Sequence, residues 1–213
     1  PGAPRRGGVL EGMLDARLRK FVDPPLDFLG RRLARLGVTA NAVTWTGFFI
    51  GCGAWAMLAL ESYGWALALI LLNRVADGLD GAVARYGRIS DLGGYLDIVL
   101  DFLFYSGVVF FFAVGRPEEA LPAAFLIFSF VGTGASFLAF ATLAAKRGIT
   151  TAARGTMSLH YLGCLTAGTE TIALFVFICL FPGLFAWFAW IFGALCWLTT
   201  AVRVFMAVET FRQ

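Results

Sequence analysis

A charged stretch in the middle of an otherwise apolar chain contains residue types that could bind metal ions. Residues 73–102, NRVADGLDGAVARYGRISDLGGYLDIVLDF, hold five aspartates and three arginines. Two aspartate pairs have helical spacing: Asp77 and Asp80 are three residues apart, and Asp97 and Asp101 are four apart. Residues three or four apart share one face of an α-helix, so each pair presents two carboxylates on one side of its helix.

The two pairs are expected to face each other across a short connection at residues 87–90. If the flanking helices form an antiparallel hairpin, the residue numbers of facing positions sum to a nearly constant value. Asp80 then lies opposite Asp97, and Asp77 lies opposite Asp101, which predicts four carboxylates around a small volume. Four uncompensated negative charges this close would repel one another strongly, so protons or cations must neutralise them.

An all-oxygen cluster of this kind favours hard divalent cations such as Mg²⁺ or Mn²⁺. No histidine or cysteine joins the stretch, which argues against zinc. Four carboxylates also fit a two-metal site that acts on phosphate esters, with the metals about 3.5–4 Å apart. The alternative is a set of structural ion pairs with Arg74, Arg85 and Arg88. It fits less well because the carboxylates outnumber the arginines.

The composition places this stretch in a membrane protein. Of the 213 residues, 59% are hydrophobic and 15% are charged, and the mean hydropathy is +0.78. A soluble domain carries about 25% charged residues. We predict an all-α integral membrane protein with six transmembrane helices and a preceding N-terminal amphipathic interfacial helix. The spans, each near the ~20 residues that cross a bilayer, are expected at about 40–60, 65–87, 91–115, 120–145, 160–181 and 184–208.

Residues 1–36 form an N-terminal cytoplasmic segment in this scheme, and residues 37–213 form the transmembrane catalytic domain. After Asp23, the expected N-cap, leucines recur at helical spacing and basic residues take other positions. This pattern is typical of a helix in the membrane interface, although a solvated helix packed on the bundle is the alternative. The positive-inside rule places both termini and the aspartates on the cytoplasmic side. Arg203, inside the sixth span, is expected to snorkel to that surface.

Small residues surround the aspartates. They permit close helix approach and leave backbone uncovered where a ligand could bind. They are Ala76, Gly78, Gly81, Ala82 and Ala84 on one helix, and Gly93 and Gly94 on the next. Arg85 is placed to meet a diphosphate. Ser90 and Asp91 are expected to cap the next helix rather than to bind metal.

Residues 77–101 resemble the signature of the CDP-alcohol phosphotransferases, also called CDP-alcohol phosphatidyltransferases. That signature reads D-x2-D-G-x2-A-R, then seven or eight residues, then G-x3-D-x3-D. The matching positions are Asp77, Asp80, Gly81, Ala84, Arg85, Gly93, Asp97 and Asp101. The stretch LGVTANAVT before the first span is similar to the family's usual TPN-x-(L/I)-T, with Ala40 where proline is common. With the predicted spans, the resemblance covers almost the whole chain.

The resemblance implies a metal-dependent transferase of phospholipid biosynthesis, which displaces CMP from a CDP-linked alcohol and transfers the substituted phosphate to a second alcohol. The residues implied in binding Mg²⁺ or Mn²⁺ are Asp77, Asp80, Asp97 and Asp101. Those implied in binding the cytidine diphosphate are Asp80, Gly81, Ala84, Arg85 and Gly93. Asp97 and Asp101 are implied in catalysis, with Asp101 shared between metal binding and general-base work. A homodimer is implied as well.

The identity of the substrates stays open at this point. The favoured donor is CDP-diacylglycerol with a small polar alcohol as acceptor; the alternative is CDP-choline or CDP-ethanolamine as donor and diacylglycerol as acceptor. Lys146, Arg147 and Arg154 crowd the loop after the fourth span. They would bind a phosphorylated acceptor, such as glycerol 3-phosphate or an inositol phosphate, or would only mark the topology.

A hypothesis of another class is a divalent-cation transporter, since carboxylates inside membranes mark ion routes. The lipid bilayer is the expected surrounding, and in a bacterium this would be the cytoplasmic membrane. We expect no nucleic-acid partner. Because one membrane domain accounts for nearly all of the length, any chemistry must use the helical bundle itself.

Overall fold

The computed structural model describes residues 13–148 and 168–212, and every regular element within these ranges is helical. The α-helices are α1 (Met13–Arg35), α2 (Ala40–Ala59), α3 (Tyr63–Tyr86), α4 (Asp91–Gly115), α5 (Ala120–Lys146), α6 (Gly168–Leu180) and α7 (Phe185–Phe211). Two short 3₁₀ helices, Pro117–Glu119 and Pro182–Leu184, lead into α5 and α7.

Four helical segments of the described chain are long and apolar enough to cross a membrane: Ala40–Ala59, Asp91–Gly115, Pro117–Lys146 and Pro182–Phe211. Helix α3 has 24 residues but carries the first aspartate pair and two arginines, which lower its hydropathy. Helix α6 is apolar and has 13 residues within the described ranges. An all-helical protein is therefore confirmed for the described residues, with four helices that are long and apolar enough to cross a membrane, whereas the predicted count of six spans is not established.

The charged stretch forms the end of α3 and the start of α4. Helix α3 ends at Tyr86 and α4 begins at Asp91, so the connection lies at residues 87–90 as predicted. The Ser90 hydroxyl accepts a hydrogen bond from the backbone N–H of Gly93 at 3.0 Å, which caps α4. The short connection therefore joins the two helix ends that carry the aspartates.

Helix α1 begins earlier than the sequence analysis predicts. It runs without interruption from Met13 through Pro24 and Pro25, so Asp23 is not its N-cap. It ends at Arg35, and Gly37, two residues further on, has a φ of +82°, the left-handed conformation that commonly follows the end of a helix. The position of α1 in the membrane interface stays a prediction.

The hairpin that carries the aspartates is open. Helix α2 packs along both α3 and α4, and α1 packs along α3, whereas α3 and α4 do not pack along each other. The close approach that small residues permit therefore occurs between other helices than α3 and α4. The small residues serve other contacts: Gly78 lies against Leu26 of α1, and Ala76 lies against Gly47 of α2.

The apolar core fills the part of the bundle beyond the aspartates. The fully buried rings of Phe112 and Phe185 stack with their centroids 4.1 Å apart. Phe104 meets Phe175 edge to face at 6.3 Å, in a geometry that aromatic pairs favour. This core holds α4, α6 and α7 together and leaves the charged ends of α3 and α4 beside open space.

Gly30 sets how closely α1 approaches α3. A Cβ atom there would lie 2.6 Å from Ala82 Cβ and 2.9 Å from the Ala82 carbonyl carbon. We expect Gly30→Ala to lower the unfolding temperature of the detergent-solubilised protein. Overpacking costs about 1–3 kcal/mol, and alanine regains at most about 1 kcal/mol of helix propensity. The control is Gly64→Ala, where a Cβ meets nothing within 4 Å. Equal unfolding temperatures for both variants would contradict this contact.

Candidate active site

Three of the four predicted aspartates come together between α2, α3 and α4. One carboxylate oxygen from each of Asp77, Asp80 and Asp97 lies within 4.8 Å of the others. Helix α3 supplies the first two from one face, and α4 supplies the third. The space that they border, called here the carboxylate cavity, is lined by Thr44, Gly47, Phe48, Asn73, Arg74, Asp77, Asp80, Asp97, Leu100 and Asp101.

The donor set of this cluster fits a hard divalent cation. All three donors are carboxylate oxygens, which Mg²⁺ and Mn²⁺ prefer. Among the described residues, no histidine or cysteine belongs to the cluster. Three negative charges this close need compensation, and the guanidinium of Arg74 approaches only Asp77 among them, at 3.7 Å. A divalent cation would supply the missing positive charge.

Asp101 lines the same cavity but is held by different partners. Its Oδ1 forms an ion pair with Arg74 Nη1 at 2.8 Å, and its Oδ2 accepts a hydrogen bond from the Tyr105 hydroxyl at 3.3 Å. It is therefore not a member of the three-carboxylate cluster. The structure brings three aspartates together where the sequence analysis predicts four, and it contains the Arg74 ion pairs that were the alternative interpretation.

Arg74 is the centre of a hydrogen-bonded network beside the cluster. Its Nε and Nη2 donate to Asn73 Oδ1 at 2.8 and 2.6 Å, and its Nη1 donates to the Tyr105 hydroxyl at 3.0 Å. Asn73 in turn donates to the carbonyl of Gly47 at 2.8 Å. The guanidinium also lies 4.6 Å from the centroid of the Phe104 ring. Arg74 therefore ties α2, α3 and α4 together at the cavity.

Thr44 fixes the most buried member of the cluster. Asp80 is 6% exposed, and its Oδ2 accepts a hydrogen bond from Thr44 Oγ1 at 2.6 Å. Thr44 lies in the first turns of α2, which is capped by the Thr39 side chain. The roles of Thr44 and Asn73 were not predicted from the sequence. Two features of the sequence could have indicated them: Thr44 is the last threonine of LGVTANAVT, and Asn73 directly precedes Arg74 within an apolar segment.

A second space, called here the glycine-lined pocket, shares the walls Thr44, Asp80 and Asp97 with the carboxylate cavity. Its other walls are Ala40, Asn41, Gly81, Ala84, Arg88, Ile89, Ser90, Gly93 and Gly94. Four of the five residues implied in binding the nucleotide diphosphate thus line one pocket: Asp80, Gly81, Ala84 and Gly93. Since most of them carry little or no side chain, the pocket exposes helix backbone to a ligand.

Arg85, the fifth of these residues, lies beside that pocket. Its Nη2 forms an ion pair with Asp27 Oδ1 of α1 at 2.7 Å. Its Nη1 lies on the side of Gly81, 3.7 Å from the position that a Cβ on Gly81 would take. The guanidinium is therefore shared between α1 and the edge of the pocket.

Of the basic residues predicted to bind an acceptor phosphate, the two described ones, Lys146 and Arg147, line neither space. Lys146 ends α5. Arg147 Nη1 lies 3.4 Å from the backbone carbonyl oxygen of Phe211, and its guanidinium lies over the Phe211 ring. Arg154 falls outside the described residues. The structure thus leaves the role of these three residues a prediction.

Arg203 contacts α5 within the bundle, and its snorkelling to the cytoplasmic surface stays a prediction. Its Nη1 donates to the backbone carbonyl of Thr133 at 2.9 Å. A third space, called here the arginine cavity, is lined by Phe102, Tyr105, Phe130, Thr133, Gly134, Phe137, Gly168, Thr171, Cys196 and Arg203. Tyr105 borders this cavity while its hydroxyl contacts Asp101 and Arg74. The sequence analysis did not single out Tyr105, because nothing distinguishes it from the many aromatic residues nearby.

Comparisons with known proteins identify the family of this chain. The family model for CDP-alcohol phosphatidyltransferase matches residues 37–205. The chain is 53% identical to the inner membrane protein YnjF of Escherichia coli (strain K12) over 202 residues, which cover 94% of this chain and 98% of that protein.

Two further relatives are archaeal and match over shorter stretches. The archaetidylinositol phosphate synthase of Pyrococcus horikoshii is 36% identical over 101 residues, which cover 47% of this chain and 54% of that protein. That of Methanothermobacter thermautotrophicus is 39% identical over 85 residues, which cover 39% of this chain and 40% of that protein. Since the family model spans most of the chain and includes the clustered aspartates, the chain belongs to the CDP-alcohol phosphatidyltransferase family and is a transferase for substituted phosphate groups.

Proposed function

We propose that this protein transfers the phosphatidyl group from CDP-diacylglycerol to a small polar alcohol and releases CMP. The observation that carries the proposal is the cluster of Asp77, Asp80 and Asp97 beside the glycine-lined pocket. The alternative within the family uses CDP-choline or CDP-ethanolamine as donor and diacylglycerol as acceptor. Membership of a transferase family removes the reason to retain the transporter hypothesis.

The family depends on divalent metals, and Asp77, Asp80 and Asp97 would hold Mg²⁺ or Mn²⁺ here. When bound, the cation neutralises the diphosphate and stabilises the charge that develops on the departing CMP. The chain's contribution is to fix the ligands in advance. The hydrogen bond from Thr44 to Asp80 does so at the most buried position, because outer contacts of this kind orient metal ligands.

The glycine-lined pocket would take the cytidine diphosphate. Its Gly81 and Gly93 leave room for the diphosphate to approach the helix backbone. The guanidinium of Arg85 at its edge offers the forked donors that phosphate oxygens accept. The donor lipid's apolar chains can stay in the bilayer, because only the cytidine diphosphate has to enter this pocket.

Asp101 is the residue we assign as general base. The acceptor's hydroxyl oxygen forms a bond to the phosphorus that carries the diacylglycerol group, and the bond from this phosphorus to the CMP oxygen breaks. CMP leaves with the electron pair, and the hydroxyl proton passes to Asp101. Arg74 and Tyr105 hold the Asp101 carboxylate toward the cavity by direct contacts.

A phosphorylated alcohol of the inositol phosphate class is the acceptor that we favour. Two relatives are named archaetidylinositol phosphate synthases. The arginine cavity supports the same choice, because it borders Tyr105, which contacts Asp101, and holds the guanidinium of Arg203. A phosphate bound by Arg203 would place the rest of the acceptor near Asp101. Binding of the acceptor phosphate by Lys146, Arg147 and Arg154 is retained as a second proposal.

We also infer that the protein lies in the bacterial cytoplasmic membrane with both termini and the aspartates on the cytoplasmic side. The relative YnjF is named an inner membrane protein, and the distribution of Lys and Arg along the chain follows the positive-inside rule. This sidedness gives the water-soluble acceptor and CMP access to the site. A homodimer is proposed from the family resemblance alone.

An assay of CMP release tests the proposed function. The purified protein in mixed micelles with CDP-diacylglycerol and Mg²⁺ or Mn²⁺ is expected to release CMP when an inositol phosphate is added. Release should stop on addition of EDTA and return with excess metal, because the clustered carboxylates depend on a cation for compensation. Inositol, serine and glycerol 3-phosphate serve as the comparison acceptors.

The outcomes of this assay separate the alternatives. Absence of CMP release with every acceptor would contradict CDP-diacylglycerol as the donor. Release from CDP-choline in the presence of diacylglycerol would support the exchanged roles. Release with glycerol 3-phosphate and not with an inositol phosphate would contradict the favoured acceptor while leaving the reaction intact.

A further inference from the structure

Helix α1 is held tightly against the part of α3 that carries the signature residues. Gly30 lies against Ala82, so close that no Cβ fits between the two helices, and Leu26 lies against Gly78. Asp27 lies between these two contacts: it follows Leu26 directly and precedes Gly30 by three residues. The backbone that carries Asp27 is therefore fixed with respect to α3.

A contact on the next turn extends this attachment to the end of α3. Arg31 Nη2 donates to the Tyr86 hydroxyl at 3.1 Å, and its guanidinium lies 4.8 Å from the centroid of the Tyr86 ring. Arg31 follows Asp27 by four residues, so the two side chains share one face of α1. They meet consecutive residues of α3, Arg85 and Tyr86, which directly follow Ala84, a wall of the glycine-lined pocket.

The ion pair between Asp27 and Arg85 divides the donors of the guanidinium. Nη2 is taken by Asp27 Oδ1 at 2.7 Å, whereas Nη1 lies on the side of Gly81, a wall of the glycine-lined pocket. An arginine has five N–H donors in a rigid plane, so it can keep a carboxylate on one edge and accept an anion on the other.

This ion pair is too exposed to contribute much to the stability of the fold. The side chains of Arg85 and Asp27 are 52% and 37% exposed, and ion pairs between exposed groups add little to folding. What the pair does is restrict the orientations of a long side chain next to the pocket. A side chain ordered before binding loses less conformational freedom when the ligand arrives.

We propose that Asp27 is a positioning residue, which holds Arg85 in the orientation that binds the nucleotide diphosphate. The proposal rests on the proposed function for the assignment of the pocket to a CDP-linked donor. It gives α1 a role in substrate binding beyond any contact with the membrane. The role belongs to the inner face of α1, because Asp27, Gly30 and Arg31 face α3.

The test compares nucleotide affinity and turnover for Asp27→Asn. We expect the Kd for CMP with Mg²⁺, measured by titration calorimetry, and the KM for CDP-diacylglycerol to rise about 3–10-fold, the effect of freeing one such side chain. The kcat should stay within about 2-fold. Asp27→Glu, which restores the carboxylate, should recover most of the affinity. Asp23→Asn, an equal change of charge on α1, is the control and should match the wild type.

A double-mutant cycle shows whether Asp27 acts through Arg85. Arg85→Ala should weaken CMP binding by more than Asp27→Asn does, and adding Asp27→Asn to it should change nothing further. An Asp27→Asn effect of equal size in both backgrounds would overturn the proposal. So would an unchanged Kd, or a joint fall of kcat and unfolding temperature that Asp27→Glu fails to correct. CMP binding that depends on Asp27 in a protein without CMP release would support this inference while contradicting the proposed function.

Discussion

Replacing Asp80 with asparagine is expected to lower the rate of CMP release by more than about 100-fold. Outer contacts of metal ligands are worth about 10–100-fold in affinity or activity, and Asp80 is itself a member of the cluster. Asparagine keeps the size of the side chain and can still accept the hydrogen bond from Thr44. The loss would therefore come from the missing charge and not from a change of shape.

The stability of this variant should change in a direction that distinguishes a metal site from a structural cluster. Without metal, Asp80→Asn should unfold at the wild-type temperature or above it, because it removes one of three neighbouring negative charges. With Mn²⁺ at about 100 times its Kd, the wild type should gain about 2.7 kcal/mol of stability, and the variant should gain much less. Thermal unfolding with and without Mn²⁺ measures both effects.

The rates of CMP release of two further variants are compared with that of Asp80→Asn. Thr44→Val removes the hydroxyl that donates to Asp80 at 2.6 Å, and it should cost about 10–100-fold in CMP release. Asp91→Asn removes a carboxylate from the first turn of α4, outside the cluster, and should leave the rate near that of the wild type. Retained activity in Asp80→Asn, or equal losses in Asp80→Asn and Asp91→Asn, would contradict the site.

The helical spacing of the aspartates predicts much of this geometry. Asp77 and Asp80 share a face of α3 because side-chain direction follows from the 3.6-residue period. Asp97 meets them from α4, since the connection between the two helices is short. Asp101 lines the same cavity but does not join the three-carboxylate cluster. Its partner Arg74 lies three residues before Asp77, on the same face of α3. Helical spacing does not show whether an arginine side chain turns toward a carboxylate or away from it.

Which helices pack against each other could not be predicted from the sequence. Small residues predict close approach but do not identify the partner: Gly78 meets α1, Gly47 meets α3, and the hairpin between α3 and α4 stays open. The contact of Asp27 with Arg85 joins residues that are 58 positions apart, and no local pattern reports such a distance. The contact of Arg203 with the Thr133 carbonyl likewise joins residues that are 70 positions apart.

Replacing Arg74 with alanine is expected to destabilise the protein and to reduce CMP release together. The guanidinium is 10% exposed and pairs with Asp101 at 2.8 Å and Asp77 at 3.7 Å. Removing one partner of a buried ion pair costs about 3–5 kcal/mol, because it leaves the other charge uncompensated. Since the Asp101 carboxylate is 29% exposed, we expect the lower end of this range, measured as the free energy of unfolding in detergent.

A second variant separates the charge of Arg74 from its role at the site. Arg74→Met combined with Asp101→Asn removes both members of the closest pair and keeps side-chain volume, so it should recover a large part of the lost stability. It should not recover CMP release, because Asp101 is the proposed general base. If the double variant is no more stable than Arg74→Ala, the network through Asn73 and Tyr105, rather than the ion pair, is what Arg74 contributes to the fold. If it regains activity, the assignment of Asp101 is wrong, and the proton must pass to another carboxylate of the cavity.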